Sequence, residues 1–282
     1  MSDSRYRAIK AYKNQGFLNS PEARGLRILS EYVEPNSRFR ELQVRDTIVV
    51  FGSARIQPRD KALALVEEAK QGKGDLQAAE RKLKMSRYYE ETRELSAKLT
   101  TWSKGLEGTE RRFVICSGGG PGIMEAANRG ASEARGENIG LNISLPFEQN
   151  DNPYITHRLS FEFHYFFMRK FWFSYLAKAF IIFPGGFGTM DELFEVLTLI
   201  QTDKIRKKVA IVLYGKEYWE QIINLGPMVE FGTISAEDLD LFHISDDVED
   251  AFQYVSGYLQ EHILDRERKE EQEPTSEQVG SL

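Results

Sequence analysis

The stretch FVICSGGGPGIMEAANRGA at residues 113–131 places a strand, a glycine-rich turn and a helix in immediate succession. Phe113–Cys116 is a short apolar run of aromatic and β-branched residues, which favours a buried parallel strand. Ser117–Gly122 supplies the turn, and Ile123–Arg135 is predicted to be helical. A strand that turns directly into a helix is typical of α/β proteins, so this stretch predicts a parallel sheet.

The same succession recurs along the chain. Further strands are predicted at Thr47–Phe51, Ile139–Leu145, Ala179–Phe183, Val209–Leu213 and Leu239–Ile244, and further helices at Phe161–Ala177, Met190–Gln201, Tyr218–Leu225 and Asp246–Leu259. Alternating strands and helices imply an open parallel sheet with helices on both faces. The predicted fold class is α/β, a Rossmann-like doubly wound parallel sheet in a single domain with an N-terminal helical extension and inserted helices.

Segments outside this alternation set the predicted domain organisation. Residues 1–45 are polar and are expected to form the N-terminal helical extension, and residues 46–262 the Rossmann-like nucleotide-binding domain. A helical insertion is expected at about 58–90, broken near Gly72 and Gly74 and placed on the edge of the sheet. Residues 263–282 have almost no apolar content and are predicted to be a disordered tail.

Composition excludes several classes of protein. Apolar residues make up 41% of the 282, which rules out wholesale disorder, and the net charge of −6 argues against a nucleic-acid partner. The single cysteine, Cys116, excludes an internal disulfide framework and a cysteine-rich zinc site. Neither a membrane-spanning stretch nor a secretory signal is recognisable, so a cytoplasmic protein without a membrane partner is expected.

Two glycine-rich turns run directly into helices, at Ser117–Gly122 and at Pro184–Thr189. Each offers free backbone N–H groups at the positive end of a helix, which together form a cradle for an anion. Neither turn matches a P-loop or a GxGxxG dinucleotide motif. The alternative is that the glycines only make tight turns, but two such turns favour phosphate binding.

Two charged residues stand out near these turns. Arg169 lies within an aromatic helix, where an arginine requires a carboxylate or phosphate partner. Its neighbours Phe166, Phe167, Phe171 and Trp172 either pack the core or form a pocket for a planar base. Glu192 follows the second turn, and the helix N-terminus is expected to keep its carboxylate ionised at neutral pH. The alternative is that Glu192 is an ordinary N-terminal helix carboxylate with no role in a site.

These motifs together resemble the LOG ("lonely guy") family of cytokinin-activating phosphoribohydrolases, whose members were long described as possible lysine decarboxylases. The resemblance covers roughly residues 46–260, and the family's PGGxGTxxE motif is matched in full from Pro184 to Glu192. The N-terminal extension and the QTDKI segment at 201–205 are similar to the longer, type II branch. In place of the RKxxM of many plant members, the chain has Arg169-Lys170 followed by Phe-Trp-Phe.

The resemblance implies hydrolysis of the N-glycosidic bond of AMP or an N6-substituted AMP, giving free base and ribose 5-phosphate. It implies that Arg169 and Glu192 are catalytic. The expected substrate- and phosphate-binding residues are Gly52, Ser53, Ser117, Gly118, Gly119, Gly120, Gly122, Met124, Glu125, Lys170, Pro184, Gly185, Gly186, Phe187, Gly188 and Thr189. No metal and no cofactor is expected, and a homo-oligomer is expected because family members form dimers. The alternative is a non-catalytic nucleotide sensor or carrier on the same fold.

Overall fold

A computed structural model describes residues 8–143 and 152–272, and these residues form a sheet of seven parallel strands flanked by helices. The strands are β1 (Thr47–Phe51), β2 (Val114–Ser117), β3 (Asn138–Ile143), β4 (Ser160–Phe163), β5 (Ala177–Ile182), β6 (Ala210–Tyr214) and β7 (His243–Ser245). The α-helices are α1 (Gln15–Leu18), α2 (Arg24–Glu41), α3 (Arg59–Lys70), α4 (Leu76–Lys104), α5 (Ile123–Glu133), α6 (Phe166–Leu176), α7 (Phe187–Gln201), α8 (Lys216–Ile222), α9 (Gly226–Glu230), α10 (Val248–Leu259) and α11 (Asp265–Gln272). Short 3₁₀ helices occur at Ala11–Lys13, Pro21–Ala23, His157–Leu159 and Glu237–Leu241, and a π-helical turn at Gln260–Leu264.

The strand order is β4-β3-β2-β1-β5-β6-β7, so the direction of winding reverses between β1 and β5. Successive side chains of β1 enter opposite layers of the core. Ile48 and Val50 pack with α4, α5 and α10 on one face, whereas Val49 and Phe51 pack with α6 and α7 on the other. Burial on both faces explains the uninterrupted apolar run of β1. The predicted α/β fold with a doubly wound parallel sheet is confirmed.

Two predicted elements differ in kind from the observed ones, and a third is described only in part. The predicted helix Phe161–Ala177 divides into strand β4 and helix α6, because Phe161 and Phe163 alternate with exposed residues as in a strand. The predicted strand Leu239–Ile244 is a 3₁₀ helix followed by the short strand β7. Strand β3 is described to Ile143, and the last two residues of its predicted range lie outside the described residues.

Helix α4 of the insertion lies on a face of the sheet and not on its edge, which corrects the prediction. Helix α3 ends at Lys70 and α4 begins after Asp75, whose carboxylate accepts hydrogen bonds from two backbone N–H groups of the first turn. Helix α4 then packs against α5, and the helices approach closely at Gly130, where a Cβ would lie 2.0 Å from the carbonyl oxygen of Arg93. The apolar side chains of α4 have to be buried, and this face of the sheet buries them.

The C-terminal segment is ordered further than predicted. Residues 260–272 are helical, although a disordered tail is expected from 263; residues 273–282 lie outside the described residues. The guanidinium of Arg112 pairs with Asp46 at 2.7 Å and with Glu267 of α11 at 3.0 Å. Asp46 is fully buried, so this network fixes α11 beside the amino ends of β1 and β2.

Helix α2 of the N-terminal extension is linked to α6. The Glu31 carboxylate accepts hydrogen bonds from the backbone N–H groups of His164 and Tyr165, and the Trp172 indole donates to the Glu31 carbonyl.

The boundaries of the domains stay a prediction, as does the cytoplasmic location. Among the helices within 8–143 and 152–272, none has the length and apolar character needed to cross a membrane.

Candidate functional site

A cleft of about 1010 Å³ opens at the carboxyl ends of β1 and β5. This is the point at which the strand order reverses, where open α/β sheets bind their ligands. Its walls come from the β1 loop, the N-terminal turn of α7, one side of α6, and the segment that joins α8 to α9.

Three loops meet at Ser53. Its backbone N–H donates to the carbonyl of Pro184 at 3.0 Å, and its carbonyl accepts from the N–H of Ile123 at 3.1 Å. Gly122 has a φ of 73°, and a Cβ there would lie 2.3 Å from the Ser53 carbonyl oxygen. The glycine is therefore required both for its backbone conformation and for this close contact.

The N-terminal turn of α7 supplies unused backbone donors to the cleft. The helix begins at Phe187, earlier than predicted, and its first helical hydrogen bond runs from the N–H of Met190 to Gly186. The N–H groups of residues 187–189 precede that bond, so they have no acceptor within the helix. Open space surrounds the Cα atoms of Gly186 and Gly188, which leaves this turn accessible to an anion.

The glycine-rich turn after β2 is mainly a packing device. A Cβ on Gly119 would lie 1.9 Å from the side-chain oxygen of Asn142, and Gly118 faces Met124 and Arg169. Ser117 is buried, accepts from the N–H of Gly119 at 3.0 Å, and donates to Asn128 at 2.6 Å. For most of this turn, the geometry matches the tight-turn interpretation.

Glu192 and Arg169 approach each other in the cleft, with 3.9 Å between Oε1 and Nη2. Glu192 lies in the second turn of α7 and is only 7% exposed. Burial raises its pKa from 4.5 to about 7, and the charges of Lys170 and then Arg169 oppose the rise. The predicted ionisation at neutral pH is thus wrong in degree, because desolvation outweighs the helix N-terminus and leaves both protonation states populated.

The Arg169 guanidinium contacts two aromatic rings, 5.2 Å from the ring centre of Phe166 and 5.5 Å from that of Phe173. Cation–π contacts of this kind fix the plane of a guanidinium. Arg169 therefore presents a rigid positive group to the cleft beside the Glu192 carboxyl.

Most of the predicted site residues come together. Those that line the cleft are Gly52, Ser53, Gly118, Met124, Arg169, Gly185, Gly186, Phe187, Gly188, Thr189 and Glu192. Those that lie outside its lining are Ser117, Gly119, Gly120, Gly122, Glu125, Lys170 and Pro184. Several of the second group have other partners: Glu125 accepts a hydrogen bond from Tyr89, and Lys170 pairs with Asp191 and Glu195.

The expected aromatic pocket is only partly present. Phe166 lines the cleft, whereas Phe167 and Phe171 line another cavity, and Trp172 is buried against α2. The lining residues that the sequence analysis missed are Phe51, Ala54, Arg55, Phe173, Met190, Phe194, Tyr218, Ile222, Ile223, Asn224, Leu225 and Met228. Tyr218 is one of them, and its hydroxyl donates to the Gly185 carbonyl at 2.5 Å in the cleft wall. No local signal marks these residues, because they lie far apart along the chain.

Within the described part of the chain, no cluster of three or more His, Cys, Asp or Glu could hold a metal ion.

The sequence and the structure are similar to known proteins. LOG7 of Arabidopsis thaliana, a cytokinin riboside 5′-monophosphate phosphoribohydrolase, is 29% identical over 134 residues, which are 46% of this chain and 60% of that protein. Among solved structures, the molybdenum cofactor binding protein of Rippkaea orientalis has a TM-score of 0.45 at 16% identity over 76% of this chain and 98% of its own. The Moco carrier protein of Chlamydomonas reinhardtii has a TM-score of 0.45 at 18% identity, over 77% of this chain and 98% of its own.

A family model described as "Possible lysine decarboxylase" matches residues 124–255. The matched range contains Arg169, Glu192 and the whole N-terminal turn of α7. Together with the LOG7 match, it confirms the resemblance drawn from the motifs. Residues 124–255 are therefore similar to the family described as possible lysine decarboxylase, and part of the chain is similar to a LOG protein.

Proposed function

We propose that the chain hydrolyses the N-glycosidic bond of adenine-type nucleoside 5′-monophosphates to give the free base and ribose 5-phosphate. The observation that supports this most strongly is the buried carboxyl of Glu192 beside the Arg169 guanidinium, in a cleft that also holds a helix N-terminus. The relative LOG7 bears the name of a phosphoribohydrolase of this type.

The 5′-phosphate binds, in this proposal, at the N-terminal turn of α7. The free N–H groups of residues 187–189 and the Thr189 hydroxyl are donors, and the helix end favours a negative charge. Ser53 lines the same part of the cleft beside Gly185. Phosphate binding here fixes the ribose next to Glu192, which is one helical turn further along α7.

The base occupies the apolar side of the cleft. Phe166 and Phe173 flank Arg169 there, and Ile222, Leu225 and Met228 provide the opposite wall. Aromatic and aliphatic walls suit a planar base and have room for an N6-substituent. The proposal therefore includes cytokinin precursors among the substrates.

The chemistry assigned to Glu192 is stabilisation of positive charge. As the bond from C1′ to the base nitrogen breaks, the ribose becomes oxocarbenium-like, and a nearby carboxylate stabilises that charge. Water then adds to C1′, and the proton that this water loses is transferred to the departing base nitrogen, so that the base leaves neutral. A pKa near 7 suits a group that both stabilises charge and orients the attacking water. Arg169 offsets negative charge on the phosphate or the departing base.

The test is base release from AMP and from isopentenyladenosine monophosphate, followed by chromatography. Wild type is expected to release base, and Glu192→Gln to lose at least about 100-fold in turnover. Glu67→Gln is the matched control, because it makes the same change at an exposed carboxylate outside the cleft. Nucleotide binding without base release by wild type would contradict the proposal and favour a sensor or carrier.

We further propose that the chain works as a homo-oligomer. Phe167, Phe171 and Tyr175 recur at a spacing of four on α6 and are 50%, 36% and 52% exposed. An aromatic stripe of this kind is typical of an interaction surface. Light scattering is expected to give a mass above that of one chain, and a monomeric mass would contradict the proposal.

A further inference from the structure

A second cavity of about 370 Å³ lies beside the cleft. Four residues line both spaces: Ser53, Arg55, Gly185 and Tyr218. Tyr218 is held in this shared wall by the hydrogen bond from its hydroxyl to the carbonyl of Gly185. Since Gly185 immediately precedes the N-terminal turn of α7, the second cavity opens on the side of the proposed phosphate position.

Three cationic side chains line this second cavity, those of Arg55, Arg81 and Lys82. Among the described residues, none of the three forms an ion pair with a carboxylate, although the chain carries a net charge of −6. Farther along the same helix the pattern changes, because Lys84 pairs with Glu217 at 2.6 Å and Arg87 with Asp246 at 3.4 Å. Three like charges around one space raise its electrostatic energy, and a bound anion lowers it.

The rest of the lining strengthens that attraction. Ile56, Met85 and Pro184 add apolar side chains to the lining of the cavity. A charge pair beside apolar groups is less screened than the same pair in open water. The cavity thus combines cationic side chains, apolar side chains and four residues that it shares with the cleft.

We propose that this cavity is a second anion subsite, which binds the outer phosphate of a nucleoside diphosphate whose inner phosphate lies at the N-terminus of α7. The proposal rests on the proposed function, because that function places the inner phosphate. Arg81 and Lys82 bind the outer phosphate, and Arg55, which lines both spaces, lies between the two phosphate positions.

Calorimetry of AMP and ADP binding tests the subsite. The full-length Glu192→Gln protein is used so that AMP is not consumed. ADP is expected to bind at least about tenfold more tightly than AMP at low salt, and the preference shrinks as ionic strength rises. Adding Arg81→Gln or Lys82→Gln is expected to reduce the ADP-to-AMP ratio several-fold. Lys84→Gln removes the same charge from the same helix outside the cavity and leaves the ratio unchanged.

Equal affinity for the two nucleotides would overturn the subsite, as would equal effects of Arg81→Gln and Lys84→Gln. Base release from AMP by wild type, measured separately, shows whether the proposed function still stands. A protein that binds neither nucleotide would overturn both proposals. Arg81 and Lys82 are exposed, so their replacement leaves folding intact, which a thermal melt verifies.

Discussion

The ammonium of Lys170 lies 2.7 Å from the carboxylate of Glu195 and the same distance from that of Asp191. These ion pairs join α6 to α7, whereas the adjacent Arg169 lines the cleft. Two neighbouring basic residues thus have different partners. Lys170 still acts on the site at a distance, because its charge is the largest influence that opposes the burial of Glu192 and lowers the pKa of that carboxyl.

Replacing Lys170 by Met is therefore expected to raise the pKa of Glu192 further. If the ionised carboxylate stabilises the transition state, wild-type turnover rises with pH through a midpoint of about 7. In Lys170→Met the midpoint moves to higher pH, and turnover at pH 7 falls about two- to tenfold. A pH–rate profile measures this. Lys204→Met, an exposed lysine in the loop after α7, is the control, and identical midpoints in the Lys170 variant and wild type would contradict the prediction.

Glu192 also makes stability depend on pH. Its pKa is about 7 in the folded protein against an ordinary value of 4.5, so folding favours the protonated form. This contribution is fully present below pH about 4.5 and is lost as the pH rises through about 7. Glu192→Gln removes the dependence and is expected to gain about 3 kcal/mol relative to wild type between pH 5 and pH 8. Urea unfolding of both proteins at pH 5 and pH 8 tests this prediction. A difference in the free energy of unfolding between the variant and wild type that is the same at both pH values would refute it.

Two helical glycines make a matched pair for packing. A Cβ on Gly130 would lie 2.0 Å from the Arg93 carbonyl oxygen, whereas one on Gly257 would meet no atom within 4 Å. Gly130→Ala is expected to force α4 and α5 apart and cost about 1–3 kcal/mol. Gly257→Ala is expected to stabilise the protein by up to about 1 kcal/mol, because alanine is the better helix former. Thermal unfolding of both variants tests this prediction. A similar loss of stability in both variants would show that the close contact between α4 and α5 does not explain the effect of Gly130→Ala.

Asn128 is expected to stabilise the turn after β2 through its hydrogen bond with Ser117. Its side chain is fully buried, accepts a hydrogen bond from Ser117 at 2.6 Å and donates to Asn138 at 2.8 Å. Asn128→Ala leaves these buried groups without their partner, at a cost of about 1–3 kcal/mol. Because Ser117 also holds the N–H of Gly119, the KM for AMP should rise as well. Steady-state kinetics alongside urea unfolding would contradict this if stability falls while KM is unchanged.

Local patterns were sufficient for part of the fold. Strand β1 has its predicted bounds, because an apolar run of five residues ends at a glycine. Strand β4 was missed since its four residues adjoin an aromatic helix, and so short an alternation is hard to separate from the helix that follows. The carboxyl of Glu192 could be placed near a helix N-terminus, but its burial comes from residues distant in sequence.

The same distinction holds for the cleft. The N-terminal turn of α7 was recognisable from its glycines, because backbone donors at a helix end depend only on local sequence. Arg169 approaches Glu192, whereas Lys170 pairs with Glu195, and this difference depends on how α6 packs against α7. The sequence shows only two adjacent basic residues, so it does not predict their different partners. Tyr218 enters the cleft wall only because α8 packs beside the turn at Gly185.

The ion pairs that join Arg112 to Asp46 and to Glu267 secure α11 at the amino ends of the strands, at the pole of the molecule opposite the cleft. The surface beside α11 is therefore a suitable attachment point. A fluorescent reporter or a surface tether attached next to α11 would leave the cleft facing outwards, so that immobilised molecules would all present the same open face to their ligand.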